Sequence, residues 1–325
     1  MPEIRAEVLE QHTTALLERE GLPRGAAEAI TDHLVHAELW GRASHGVSVR
    51  LPKILEEARN GLGRRRPEVV SDDRGTVVLD GLDGFGFLAA AHAAELLVER
   101  AGRHRVATVA LRNSGHTGLL AYYLNRISRA GVIGLAFAHC MPVMAPHGAV
   151  EPFFGTNPIG FGFPADPAPV IIDLATSQTT YGEVARRRQN HEELEDGWAI
   201  DNRGAPTTDA DEALAGALLP FGGYKGSALA LAVQLIAGPT IGALPLPPRR
   251  VGYGLAFIGI AHDAFQDSRE YYRGVAELLG AYHNVATTDG RGPHLPGRRY
   301  SQTVAEAPDT LIAVSAETAR LLGLP

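Results

Sequence analysis

The chain has 325 residues, 45% of them hydrophobic and 21% charged, with a formal net charge of −7. That length can bury a large core in two domains or one large α/β unit; the composition excludes disorder, and the acidic balance argues against a nucleic-acid partner. Cys140 is the single cysteine, so no internal disulfide forms, which fits a reducing cytoplasm.

In chain order, the N-terminus opens with charge and continues as a polar-faced helix, unlike a signal peptide. Val8, Leu9, His12, Leu16 and Leu17 recur near a 3.6 period, as do Ile30, Leu34, Ala37 and Leu39 before Gly41. A further helix is expected over about 46–60, ended by Gly61 and Gly63, with Pro52 in its early part or kinking it. From Glu68 the pattern becomes α/β. Strands are predicted over 76–80, 106–111, 132–138, 170–173 and 255–260, and helices over 89–101, 119–130, 227–237 and 271–281. The most apolar run, 227–238, contains Gln234 and is shorter than the ~20 residues of a spanning helix, so no membrane segment is expected. This alternation predicts an α/β fold built on a mixed sheet with helices on both faces, preceded by a helical N-terminal region.

Gly84-Phe85-Gly86-Phe87-Leu88-Ala89 follows a predicted strand and opens a helix, as a dinucleotide fingerprint does. The fingerprint also needs a carboxylate ~20 residues on to hold the ribose. The next strand ends in Leu111-Arg112-Asn113 without one, which favours a tight turn with close helix-to-strand packing.

Several short segments could carry chemistry. Ser44-His45-Gly46 lies between two helices; Ser44 can cap the second, and Gly46 leaves room beside the imidazole. Arg50 follows five residues after His45, and a guanidinium beside a titratable imidazole suits a small carboxylate. The bland alternative is a capping serine with an incidental histidine. His116 follows a predicted strand, where α/β sheets bind ligands. Phe154-Gly155-Thr156-Asn157-Pro158 and Ile172-Asp173-Leu174-Ala175-Thr176-Ser177 gather turn formers and small polar residues at strand ends. Phe221-Gly222-Gly223-Tyr224-Lys225-Gly226-Ser227 precedes a helix and could cradle phosphate, although it is not a Walker A sequence. Arg64-Arg65-Arg66 and Arg186-Arg187-Arg188 read first as solvated faces, and no HExxH or CxxC spacing supports a metal.

Together these segments resemble the type-2 malate/L-lactate dehydrogenase family, whose relatives include Δ1-piperideine-2-carboxylate reductases and ureidoglycolate and sulfolactate dehydrogenases. The resemblance spans nearly the whole chain. It implies NADH or NADPH bound on a non-Rossmann fold, a small carboxylate substrate and a homodimer. It also implies that His45 is the proton donor, that Ser44 orients it or relays to it, and that Glu183, in Tyr181-Gly182-Glu183, completes the relay. His116 and Arg50 are implied as substrate contacts. Thr156, Asn157, Ile172, Asp173, Leu174, Ala175, Tyr224, Lys225, Gly297 and Arg298 are implied as cofactor contacts. The expected division is a helical region over 1–66, an α/β region over 67–118 packing with the segment 290–325, and a cofactor-binding domain over 119–289.

Some positions depart from the family pattern. Val49 stands where arginine is usual, and Arg50 follows; on an unbroken helix that step turns a side chain by ~100°, so Arg50 reaches the site only if the turn is irregular. Gly115-His116-Thr117 lacks the common asparagine and phenylalanine, Leu194-Glu195-Asp196 replaces the proline before Gly197-Trp198-Ala199, and 239–252 is short.

The implied reaction moves hydride between nicotinamide C4 and C2 of a 2-oxo acid or cyclic 2-imino acid. Gly182-Glu183 and Lys225-Gly226-Ser227-Ala228 look nearer to the imine reductases. Glu183 and the substrate carboxylate are expected to keep His45 protonated near neutrality, against the helix that starts just after it. The rival readings are a catalytically silent nucleotide-binding protein and a hydrolase built on Ser44, His45 and Glu183, which lacks a Gly-x-Ser-x-Gly elbow.

Overall fold

Three amphipathic helices open the chain, each burying one apolar stripe. In the computed structural model, which describes residues 2–62, 65–248, 251–288, 290, 292–301 and 307–324, strand β1 (Glu3–Arg5) leads into α1 (Ala6–Arg19), α2 (Arg24–Leu39) and α3 (Val47–Arg59). Gly63, expected beyond the third helix, and Arg64 of the basic run lie outside the described residues. Leu9, Leu17, Ile30, Leu34, Val47 and Leu51 form one core among these helices, and Pro52 sits inside α3 without ending it.

Between α2 and α3 the path is broken. Ala43–His45 form a 3-10 turn, and Gly46 is extended at φ −87 and ψ −175 before α3 begins. Ser44 does not cap α3, contrary to expectation. Its cap comes from Glu38 of the preceding helix, whose Oε1 accepts from Ser48 N at 3.1 Å. Gly46 is glycine for the same reason: a Cβ there would lie 2.3 Å from Glu38 Cδ, so the freed space is taken by Glu38 and not by an approach to the imidazole.

Next come β2 (Glu68–Asp73), β3 (Thr76–Asp80), α4 (Gly86–His104), β4 (Val106–Ser114), α5 (Leu120–Arg129), β5 (Val132–Ala138), β6 (Ile159–Phe163) and β7 (Val170–Leu174). The second half adds α6 (Tyr181–Gln189), β8 (Ala199–Ile200), β9 (Pro206–Thr207), α7 (Ala210–Ala215), β10 (Ala217–Leu218), α8 (Tyr224–Ala237), β11 (Tyr253–Ala261) and α9 (Ser268–His283). Last, β12 (Leu311–Ala313) pairs with β1, and α10 (Ala316–Leu321) closes the N-terminal core.

Seven strands form one sheet in the order β2-β3-β4-β11-β5-β6-β7, and the only parallel pair is β3 with β4, bridged by α4. A doubly wound dinucleotide sheet is mostly parallel; this mixed sheet is not of that type. The partial glycine fingerprint has the packing role expected of it. A Cβ on Gly86 would lie 2.3 Å from Gly115 O and 2.5 Å from His116 O, so the glycine lets the His116 loop lie directly on the start of α4.

β11 is the central strand, with Leu255 and Phe257 buried beside Leu97 of α4 and Leu120, Tyr123 and Leu124 of α5. β8, β9 and β10 form a separate small sheet over a core of Met144, Phe154, Val184 and Ala213. The ends of β4, β5 and β7 and the starts of β6 and β11 gather at one end of the large sheet, beside the Ala43–His45 turn, where they line a single cavity.

Candidate active site

The cavity holds about 710 Å³ and is lined by residues from the N-terminal helical region, the large sheet and the segments around the small sheet. Ser44 and His45 enter from the 3-10 turn, Arg50 and Lys53 from α3, His116 from the loop after β4, and Cys140 from the end of β5. Thr156 precedes β6, Asp173 and Ala175 come from the end of β7, Thr180 and Glu183 come from the start of α6, and Arg186 from its last turn. The break at Gly46 lets Arg50 share the cavity with His45: the turn is irregular, and Arg50 Nε donates to Ser44 O at 3.0 Å.

Ser44 Oγ lies 3.1 Å from His45 Nδ1, which leaves Nε2 free of that contact. The His45 and His116 ring centroids are 5.9 Å apart. His116 Nδ1 accepts from Gly118 N at 3.0 Å, so the neutral ring carries its proton on Nε2. Behind them, His33 Nε2 accepts from Leu119 N at 2.9 Å, and burial holds His33 down to about 3.

These imidazoles are not charged by their surroundings. Burial lowers the proton affinity of His45 well below the ordinary range, and Arg50, His33 and Arg42 lower it further. His116 is lowered by burial and then by Arg50, His45 and Lys53. Arg50 itself is pushed down to about 10 by burial. The expectation that Glu183 keeps His45 protonated is therefore overturned. Among the described residues, the Glu183 carboxylate hydrogen-bonds Arg186 at 2.8 and 3.0 Å and Arg187 at 3.2 Å, and those arginines answer its charge. The same pairing removes the third member of a Ser-His-Glu hydrolase. Gly182 stays close: a Cβ there would lie 3.0 Å from Ser44 Cβ, so α6 starts directly against the Ala43–His45 turn.

The other sequence-indicated positions divide by strand alternation. Along β7, Asp173 and Ala175 line the cavity, whereas Ile172 and Leu174 do not, and Leu174 is exposed. Asp173 caps α5, its Oδ2 accepting from Ala121 N at 2.8 Å, and burial pushes it up to about 6. Thr156 lines the cavity, but the side chain of Asn157 bonds Ala230 O and Gln234 Oε1 on α8 at 3.0 and 2.7 Å. Tyr224 and Lys225 are exposed at the start of α8 and outside the lining, so the glycine loop before them does not serve this cavity. Gly297 packs on β7, and Arg298 is exposed; two residues on, Tyr300 is the cavity residue of that segment, its hydroxyl accepting from Arg42 Nε at 2.9 Å. Arg188 pairs with Asp211, so all three arginines of that run face carboxylates.

The sequence reading missed Arg42, Lys53, Tyr300 and Trp198. Lys53 had a readable signal, since it lies one helical turn beyond Arg50. So had α6: Thr180 and Glu183 have capping-box spacing, and Thr180 Oγ1 accepts from Glu183 N at 3.1 Å. Among the described residues, no three His, Cys, Asp or Glu side chains form a possible metal set, and no helix is long and apolar enough to cross a membrane.

A profile of the malate/L-lactate dehydrogenase family matches residues 4–322. The chain belongs to that family. It is 32% identical over 291 residues to L-sulfolactate dehydrogenase of Methanocaldococcus jannaschii, covering 87% of this chain and 84% of that protein. It is 37% identical over 232 residues to Delta(1)-pyrroline-2-carboxylate/Delta(1)-piperideine-2-carboxylate reductase of Pseudomonas putida, covering 70% and 68%. The crystal structure of delta1-piperideine-2-carboxylate reductase from Pseudomonas syringae superimposes with a TM-score of 0.88 at 29% identity, covering the whole of both chains. This family member is an oxidoreductase with the mixed α/β fold of its relatives.

Burial pushes the Glu38 carboxyl up to about 7, against the opposing Ser48 and Val47 backbone N–H groups. Folded protein then keeps a proton that the unfolded chain releases between about pH 4.5 and 7, so this group lowers stability as pH rises through that window. Glu38→Gln keeps an acceptor for Ser48 N and removes the titration. Its melting temperature relative to wild type is expected to be higher at pH 8 than at pH 5; an unchanged difference contradicts the assignment.

Proposed function

We propose that the protein moves hydride between C4 of NADH or NADPH and C2 of a small 2-oxo acid or cyclic 2-imino acid, with His45 as proton donor in reduction. The observation that carries this reading is the grouping of His45, His116 and Arg50 on one wall of a cavity that Arg42, Thr156, Asp173, Ala175 and Tyr300 complete. The volume suits a nicotinamide beside a small acid, within the ~300–1,000 Å³ of ligand sites, and this other, polar part of the wall fits the cofactor. Those five residues would hold it; when bound, it supplies the hydride. Arg298 adjoins this wall without lining it, and Tyr224 and Lys225 would serve only a part of the cofactor extending beyond the cavity.

Arg50 presents a fork for the substrate carboxylate, and its own bond to Ser44 O ties that fork to the catalytic turn. Ser44 holds His45 Nδ1, leaving Nε2 to serve the oxygen or nitrogen beside C2. Reduction leaves negative charge on that atom, and a general acid there contributes about 10²–10⁴ in rate. His45 is neutral before an anion arrives. A carboxylate at Arg50 answers one cation that repels the imidazolium and attracts the proton directly, so substrate binding raises the His45 pKa. In the reverse direction neutral His45 is already the base.

A homodimer is part of the same proposal. Of the 16 residues of α9 only Tyr271 is buried, while Leu278 is 68% exposed. An isolated helix of that length is marginal in water, and a second copy would cover its apolar stripe. A cytoplasmic setting would keep the free thiol of Cys140 reduced.

His45→Ala is expected to lower reductive turnover by about 10²–10⁴ while leaving cofactor affinity near wild type. In the wild type, reductive kcat/KM should fall as pH rises through neutrality, whereas oxidative kcat/KM stays level there and falls only in acid. A variant as active as wild type removes the mechanism. For assembly, sedimentation equilibrium should give a dimer that Leu278→Glu with Tyr282→Glu dissociates; a monomeric wild type contradicts that part.

A further inference from the structure

Four side chains that line the cavity take no part in the reaction derived above: Met141, Val143, Tyr181 and Trp198. All four belong to, or pack on, the core under the small sheet, with Met144, Phe154 and Val184. We propose that they form an apolar subsite for the substrate carbons beyond C2, so that the cavity selects 2-oxo acids with an uncharged, branched or ring-bearing chain. This rests on the reading of the cavity as a 2-oxo acid site.

Three observations carry it. First, the apolar lining begins beside the carboxylate fork. A Cβ on Gly182, next to Tyr181, would lie 3.7 Å from Arg50 Nη2, and the Arg50 charge acts on the thiol of Cys140, next to Met141. An acid held at Arg50 therefore brings its chain toward Tyr181 and Met141. Second, the indole is clamped. The Arg187 guanidinium lies 4.6 Å over the Trp198 ring, and Arg187 is itself held by Glu183 Oε1 at 3.2 Å, Glu195 Oε1 at 3.1 Å and Glu193 O at 2.6 Å. A ring already fixed in place offers its apolar area at little entropic cost. Third, the charged side chains nearby are answered within the protein. Arg186 bonds Glu183 at 2.8 Å, and Lys53 pairs with Glu57 along α3. A charged chain end would lose its water against side chains whose only polar atoms are a phenol hydroxyl, an indole nitrogen and a thioether sulfur. A branched hydrocarbon chain has no such hydration to lose, and its burial is favourable in proportion to the area removed from water.

The test assays the full-length enzyme with saturating reduced nicotinamide on pyruvate, 4-methyl-2-oxopentanoate, oxaloacetate and Δ1-piperideine-2-carboxylate. Wild type is expected to favour 4-methyl-2-oxopentanoate over both pyruvate and oxaloacetate by about tenfold or more in kcat/KM. In Trp198→Ser the ratio of kcat/KM on 4-methyl-2-oxopentanoate to that on pyruvate should fall by about 10–100-fold, mainly through KM. Trp198→Phe, which keeps an apolar ring, should retain most of the preference. Met141→Thr, on a different segment, should lower the same ratio by about threefold to tenfold, and it decides the matter if Trp198→Ser does not fold. A wild-type preference for pyruvate or oxaloacetate, an unchanged ratio in a folded Trp198→Ser or Met141→Thr, or reduction of the cyclic imine alone overturns this inference and leaves the parent reading standing. Failure to reduce any of the four overturns the parent reading and this one together.

Discussion

At Gly46 the chain leaves a 3-10 turn in an extended conformation and starts a new helix, and the Glu38 carboxyl fills the space a side chain would need. Without that break, the step from His45 to Arg50 would send the two side chains in different directions. With it, the imidazole and the guanidinium share a cavity, and the Arg50–Ser44 bond fastens one to the other. Glu38 also caps α3, so one buried carboxyl from α2 fixes the geometry and the electrostatics of the turn. Gly182 of α6 also packs against the turn, where a Cβ would lie 3.0 Å from Ser44 Cβ.

The chemistry follows from charge placed in a poorly solvated wall. His33, His45 and His116 lie near Arg50, and their mutual repulsion adds to the cost of burying a proton. Such a wall is waiting for an anion. Glu183 does not supply it, because Arg186 and Arg187 hold its carboxylate. Under the proposed mechanism the substrate supplies both the electrophile and the charge that arms the acid, so proton delivery is coupled to binding of the right ligand. This coupling also separates the two directions of reaction, because the oxidative base needs no arming.

Much of the fold was legible because apolar period and turn residues agreed locally. The strand over 132–138 is found where a short apolar run between turn signals placed it, and the helix over 119–130 differs by one residue at each end. β6 was illegible for a physical reason. Its inward residues are Gly160 and Gly162, which read as turn formers, yet a Cβ at either would lie 2.5 Å from Leu124 or Ser128 of α5. The strand needs glycine so that a helix can lie on it, and local propensity carries no trace of that. In the site, Ser44, His45 and His116 stood out because polar residues flanked by glycine at element ends are conspicuous. Arg42 and Tyr300 did not: their bond joins residues 258 apart in sequence. Alternation along β7 could have separated Asp173 and Ala175 from Ile172 and Leu174, since a strand offers a ligand only every second residue.

The central claim is that the imidazole of His45 is neutral in the unliganded wall and gains its proton with the substrate anion. Calorimetry of oxamate, a non-reducible 2-oxo acid mimic, binding to the enzyme with reduced nicotinamide measures this directly when repeated at pH 7.5 in buffers of different ionisation enthalpy. The account predicts uptake of close to one proton per site in the wild type and none in His45→Ala; binding without proton uptake in the wild type would contradict it.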